Sequence, residues 1–186
     1  MTSKDLKQEL QNLKAYKQER VRIGEAVVQH QLLPDLIAFC RPESGVSHQA
    51  CWSLEQSFLL QEEACYPFLK EICELYTRNI NSSGKRPLCK ISGILTKKYY
   101  CNKDNLIKKI LHQSMREQIV EGCFQELIST DRTANMAYSV YSLYELGKEF
   151  DWIYPELIPV LQQKLQENYG NGFKSSARRI LAKIEG

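Results

Sequence analysis

The sequence has no Cys-x-x-Cys pair and only three histidines, His30, His48 and His112. A zinc site needs thiolates or imidazoles grouped at short spacing. The pattern therefore argues against bound metal, and no other cofactor signature stands out. Glycine (nine residues) and proline (six) are few and scattered, so no segment reads as a flexible linker. The longest apolar runs are too short to span a bilayer. The start, Met1-Thr2-Ser3-Lys4-Asp5, leads into a charged helix rather than a signal peptide. The expectation is a cytoplasmic protein with no membrane partner. Strand signals are missing too. The one Asn-Gly pair, Asn171-Gly172, lies between two helical patterns, not between alternating apolar and polar runs.

What is present points to helices. The 186 residues are 43% apolar, enough for a real core in one domain covering residues 1–186. The seven cysteines, odd in number, form no disulfide framework and read as small buried apolar residues. Cys123 sits in the series Ile119, Val120, Cys123, Phe124, Leu127, Ile128, which predicts an amphipathic helix with one broad buried face. Ser3 reads as the N-cap of a helix carrying Leu6, Leu10 and Leu13. Further helices are expected over 21–28, after Pro34, up to Leu60, over 63–80 and over 83–100. An irregular stretch follows near 101–109. Asp131 reads as the cap of a helix ending at Gly147, Asp151 as the cap of one over 152–169, and 173–184 closes the chain.

These helices repeat in pairs. Tyr66-Pro67-Phe68-Leu69 and Tyr154-Pro155-Glu156-Leu157 share Tyr-Pro-x-Leu, and Trp52-Ser53-Leu54 has a counterpart in Tyr141-Ser142-Leu143. The offsets are near two units of roughly 44 residues, and HEAT and armadillo units run to ~40–47. Segments 47–54, 85–95, 134–143 and 174–181 resemble the second helix of HEAT repeats, Lys174-Ser175-Ser176-Ala177-Arg178-Arg179-Ile180-Leu181 most closely. The resemblance implies an all-α fold, a right-handed α-α superhelix of about ten helices in HEAT/armadillo-like hairpins. The chain as a whole also resembles a family of short bacterial helical-repeat proteins, some of which bear the name adenylosuccinate lyase. Lyases of that kind are far longer and supply a catalytic serine from a Gly/Ser-rich loop. Here only Ser82-Ser83-Gly84-Lys85-Arg86-Pro87 has a similar flavour, and it reads as a turn and helix start.

In such a stack the inner helices leave a polar stripe in the groove. Ser139, Ser142 and Glu145 form one candidate stripe; Ser53, Gln56 and Ser57 form another. A third is basic: Arg86, Lys90, Gly93 and Lys97. Residues 83–116 hold nine bases and one acid, Asp104, whereas 117–169 hold nine acids and three bases. The basic stripe suits an anionic partner, or it is a solvated face balanced by acids such as Glu55. Trp52, Tyr138, Tyr141, Tyr144 and Tyr99-Tyr100 offer aromatic faces of the type that stack on nucleic acid. Trp152 reads as a packing anchor. The candidate binding residues are thus Arg86, Lys90, Lys97, Trp52, Gln56, Tyr141, Glu145 and Arg178. No catalytic residue is identified. A scaffold or adaptor binding a protein or peptide leads the functional readings. Nucleic-acid or other polyanion binding through the basic middle repeat is the alternative; it resembles the HEAT-like DNA glycosylases, although no segment here matches their aromatic cleft and catalytic acid residue by residue. An enzyme, including a lyase, comes third.

Overall fold

The first helix begins at Thr2. Its hydroxyl accepts from the Asp5 N–H, and the Asp5 carboxylate accepts from the Thr2 N–H, a reciprocal capping box. The cap is therefore one residue earlier than Ser3, because the Ser3 position lacks an acid three residues on. The computed structural model describes residues 1–129 and 132–186. Among these the chain is all-α with no strand. The helices are α1 (Ser3–Asn12), α2 (Lys17–Gln29), α3 (Leu33–Phe39), α4 (Ser47–Leu60), α5 (Glu62–Cys65), α6 (Leu69–Glu74), α7 (Ser82–Tyr99), α8 (Ile107–Ile110), α9 (Gln113–Ser129), α10 (Thr133–Leu146), α11 (Ile153–Gln166) and α12 (Asn171–Glu185). The expected cap Asp131 lies outside the described residues. No described helix is long and apolar enough to cross a membrane.

Two expected helices differ in detail. The 63–80 segment is not one helix but α5, a 3-10 turn at Tyr66–Phe68, α6 and a 3-10 turn at Leu75–Thr77. Pro67, which has no N–H to donate, sits in the first of these turns. Helix α11 starts after Trp152 without a side-chain cap, so Asp151 does not cap it.

The chain divides into two compact units, Met1–Ile91 and Ser92–Gly186, with the boundary inside α7. In the first unit α4 is central and packs against α1, α2, α3 and α5. Its residues Ala50, Cys51, Leu54 and Phe58 are buried. So are Ser53 and Ser57, whose hydroxyls donate to the carbonyls of Gln49 and Ser53 one turn back. These local bonds let a serine enter a core without an unsatisfied group. In the second unit α10 takes the same part against α9, α11 and α12. Ser139 and Ser142 are fully buried there. The two serine stripes are therefore helix-packing seams and not groove linings, a correction to the sequence reading. Small residues serve where helix axes come close, and a groove does not need them.

Gly24 and Gly93 separate tight seams from loose ones. A Cβ on Gly24 would lie 2.8 Å from Gln56 Cβ and 2.9 Å from the Ser57 backbone nitrogen. On Gly93 it would meet only Ser142 Oγ, at 3.8 Å. Both glycines are inside helices, where alanine is intrinsically favoured by ~1 kcal/mol. Gly93→Ala should therefore stabilise by about 0.5–1 kcal/mol. Gly24→Ala should destabilise by about 1–2 kcal/mol, since overpacking costs ~1–3 kcal/mol and a backbone atom cannot rotate aside. Urea denaturation of the two variants reads the opposite signs, and equal signs would mean that the α2–α4 seam is loose.

Candidate binding surface

The residues singled out in sequence are scattered by the fold. Trp52 is half-buried, and its indole N–H donates to the Ser83 carbonyl at 3.1 Å. That carbonyl would otherwise face residue 87, a proline inside α7 with no N–H to give. The indole thus replaces a missing helix bond. His48 meets the ring edge-on, 5.0 Å between centroids. Gln56 is buried in the α2–α4 seam. Lys90 pairs with buried Glu55 at 2.6 Å, so it is balanced by the acid that the sequence suggested. Arg86 and Lys97 are exposed. Lys85, next to Arg86, is buried, with its ammonium on the Tyr76 carbonyl. The Ser82–Pro87 stretch is the start of α7.

In the second unit Tyr141 carries the Arg179 guanidinium 5.8 Å from its ring centroid, and Arg178 is exposed. Glu145 accepts from Lys148 at 2.5 Å. Tyr144 stacks on Tyr154 and also lies under Lys148 and Lys183. One face or more of each tyrosine is thus taken by the chain's own cations and rings, which removes much of the open platform expected from sequence. Six of the seven cysteines are buried and all are free thiols. Burial pushes the Cys65 thiol up to about 12 and that of Cys40 well up, the latter helped by neighbouring Cys51. Such thiols are inert at neutral pH. No group of His, Cys, Asp and Glu able to hold a metal occurs among the described residues.

The surface that stands out was not among the expected sites. Ile119, Cys123 and Leu127 of α9 are buried, and the helix packs on α10. The second apolar line, Val120, Phe124 and Ile128, leads from buried to open: Ile128 is 64% exposed. The expected single buried face is therefore only half used. At 100° per residue its six positions span about 180° of arc, more than one neighbouring helix covers. Beside this line lies a groove of about 850 Å³, lined also by Phe150 and Trp152. Trp152 is 52% exposed and stacks on Phe124 at 5.7 Å. It is a groove wall as well as a packing residue.

An ion pair between buried Arg116 and partly exposed Glu149 ties α9 to the segment that leads into Phe150. Arg116 on α9 is buried and donates to both Glu149 oxygens, at 2.5 and 3.1 Å, and to the Leu111 carbonyl at 2.5 Å. Its guanidinium lies 4.3 Å from the Tyr99 ring centroid, and the Tyr100 hydroxyl donates to Glu149 at 2.6 Å. Burial raises the Glu149 pKa, but the hydrogen bonds from Arg116 and Tyr100 outweigh it and hold the carboxyl below its ordinary value. Glu149 immediately precedes Phe150, so this cluster sets where the groove wall begins.

No protein family matches the chain, nor does any curated protein or solved structure. Among the described residues the fold and surface define an all-α chain with a large apolar groove on α9.

Proposed function

We propose that the chain is a non-enzymatic helical-repeat scaffold or adaptor that binds a protein or peptide in the α9 groove. The carrying observation is the open apolar line Phe124–Ile128 with Trp152 stacked beside it. A contiguous exposed apolar surface of this kind marks interaction sites, and aromatic side chains in a concave setting are the usual anchors of such contacts. We read the helices as HEAT- or armadillo-like hairpins. The packing of α10 against α9, α11 and α12 supports that reading, since an inner helix of a stack meets its hairpin partner and the next hairpin. Polyanion binding is the second reading. It draws support from exposed Lys97, Lys103 and Lys109 of the second unit, while in the first unit the Lys90–Glu55 pair removes one charge from the basic stripe.

A photo-crosslinking residue placed at Gln125, on the groove margin, tests the first reading in cells of the source organism. Defined protein adducts should form and should disappear when Ile128→Asp is added. Adducts unchanged by Ile128→Asp would overturn it. Titrating a labelled single-stranded oligonucleotide at low salt tests the second, which fails if no binding is seen.

A further inference from the structure

We infer that the α9 groove selects a basic amphipathic helix from another protein; this rests on the groove reading above. The spacing argues for a helix. Val120, Phe124 and Ile128 recur at i, i+4 and i+8, a line of about 12 Å at 1.5 Å per residue. That length matches roughly two turns of a partner helix presenting apolar side chains at i, i+4 and i+7. Trp152, stacked on Phe124, supplies a rigid wall for the central side chain.

The charge at the margin argues for a basic partner. Glu117 and Glu121 line the groove, run parallel to the apolar line at the same four-residue step, and are exposed. Their hydrogen-bond partners are neutral amides on the same helix, Gln113 for Glu117 and Gln125 for Glu121. Neither carboxylate is matched by a cation among the described residues. Asp151, next to Trp152, is exposed as well. Past Ile128 a second hollow of about 400 Å³ continues the surface. Its one cation, Lys164, is buried and donates to the Tyr169 hydroxyl at 3.0 Å, while its acid, Glu167, is exposed. An incoming helix therefore meets apolar surface bordered by carboxylates. Lys or Arg flanking its apolar stripe is attracted, and Glu or Asp there is repelled, which is how charge complementarity sorts partners.

Two labelled helical peptides with the same Leu stripe, one otherwise Lys-rich and one Glu-rich, test this by fluorescence anisotropy on the full chain. The Lys peptide should bind at least about tenfold more tightly, with the advantage shrinking as salt rises. The double variant Glu117→Lys, Glu121→Lys should reverse the preference. Ile128→Asp, an exposed position, should keep the helical circular dichroism and remove binding of the Lys peptide. Equal binding of both peptides, abolished by Ile128→Asp, would overturn the charge selection and leave the groove reading standing. Peptide binding that Ile128→Asp does not alter would overturn both. Sedimentation showing a dimer that Ile128→Asp dissociates would overturn the foreign partner in favour of a second copy.

Discussion

Leu54→Ala and Leu143→Ala should each lower stability by about 2–5 kcal/mol, the range for emptying a buried leucine site. Both side chains are fully buried, one at the centre of α4 and the other at the centre of α10. Each removal leaves a cavity that the packed helices around it close only in part. Ser142→Ala serves as the control. Its hydroxyl donates to the Tyr138 carbonyl at 3.2 Å and lies 3.0 Å from Ser92 Oγ. Alanine keeps the volume and loses hydrogen bonds with a net worth of about 1 kcal/mol each. Ser142→Leu discriminates the buried seam from an open groove. In the seam three added carbons must push towards α7, whose Ser92 lies against Ser142, and the variant should lose about 1–3 kcal/mol, the usual cost of overpacking. A Ser142→Leu protein as stable as the unaltered chain would return the serine stripe to the surface. Urea or thermal denaturation, followed by circular dichroism, reads all four.

Glu149→Ala should cost about 3 kcal/mol, the low end of the ~3–5 kcal/mol for breaking a buried pair from one side. The low end applies because Glu149 is one-third exposed, while Arg116 is nearly sealed. Removing the acid strands the buried guanidinium; removing the base leaves a carboxylate that water can reach. Glu149→Ala should therefore be the more damaging of the two truncations. The pH dependence has a definite sign. The folded-state carboxyl is held below its ordinary 4.5, so its stabilisation is complete above the unfolded value and is lost as pH falls through the folded one. The difference in melting temperature between the unaltered chain and Glu149→Gln should be steady near neutrality and shrink below about pH 4.5. A difference that grows on acidification would show that Glu149 is not held as an anion. Because Phe150 follows directly, these variants should also weaken peptide binding in the groove, which the same anisotropy assay reads.

The candidate surface was visible in sequence only as an inconsistency. Ile119, Val120, Cys123, Phe124, Leu127 and Ile128 were assigned to one buried face, although about 180° of apolar arc exceeds the ~100° stripe of an ordinary surface helix. The surplus was the signal. Which half would stay open depended on where α10 packs, and that is a long-range choice. Trp152 looked like an anchor because a tryptophan beside a helix start usually is one; half its surface is free. The small polar residues misled for the opposite reason. Serine is hydrophilic on any scale, but on a helix its hydroxyl reaches the carbonyl one turn back, as Ser53 and Ser142 do, and then buries at little cost.

The sequence by itself determined the secondary structure class and the approximate helix positions, because helical periodicity is a local property that alternating water and core impose on each segment. It left two readings of the basic stripe open, an anionic partner or neighbouring acids, and Glu55 does pair with Lys90 while Arg86 and Lys97 are exposed. Only the tertiary structure decided which polar residues are seams, that the Trp52 indole fills the bond Pro87 cannot make, and that the second apolar line of α9 runs from buried Val120 to open Ile128. Each of these turns on contacts between residues tens of positions apart, whose distances follow from the packing of whole helices and not from the spacing within any one of them.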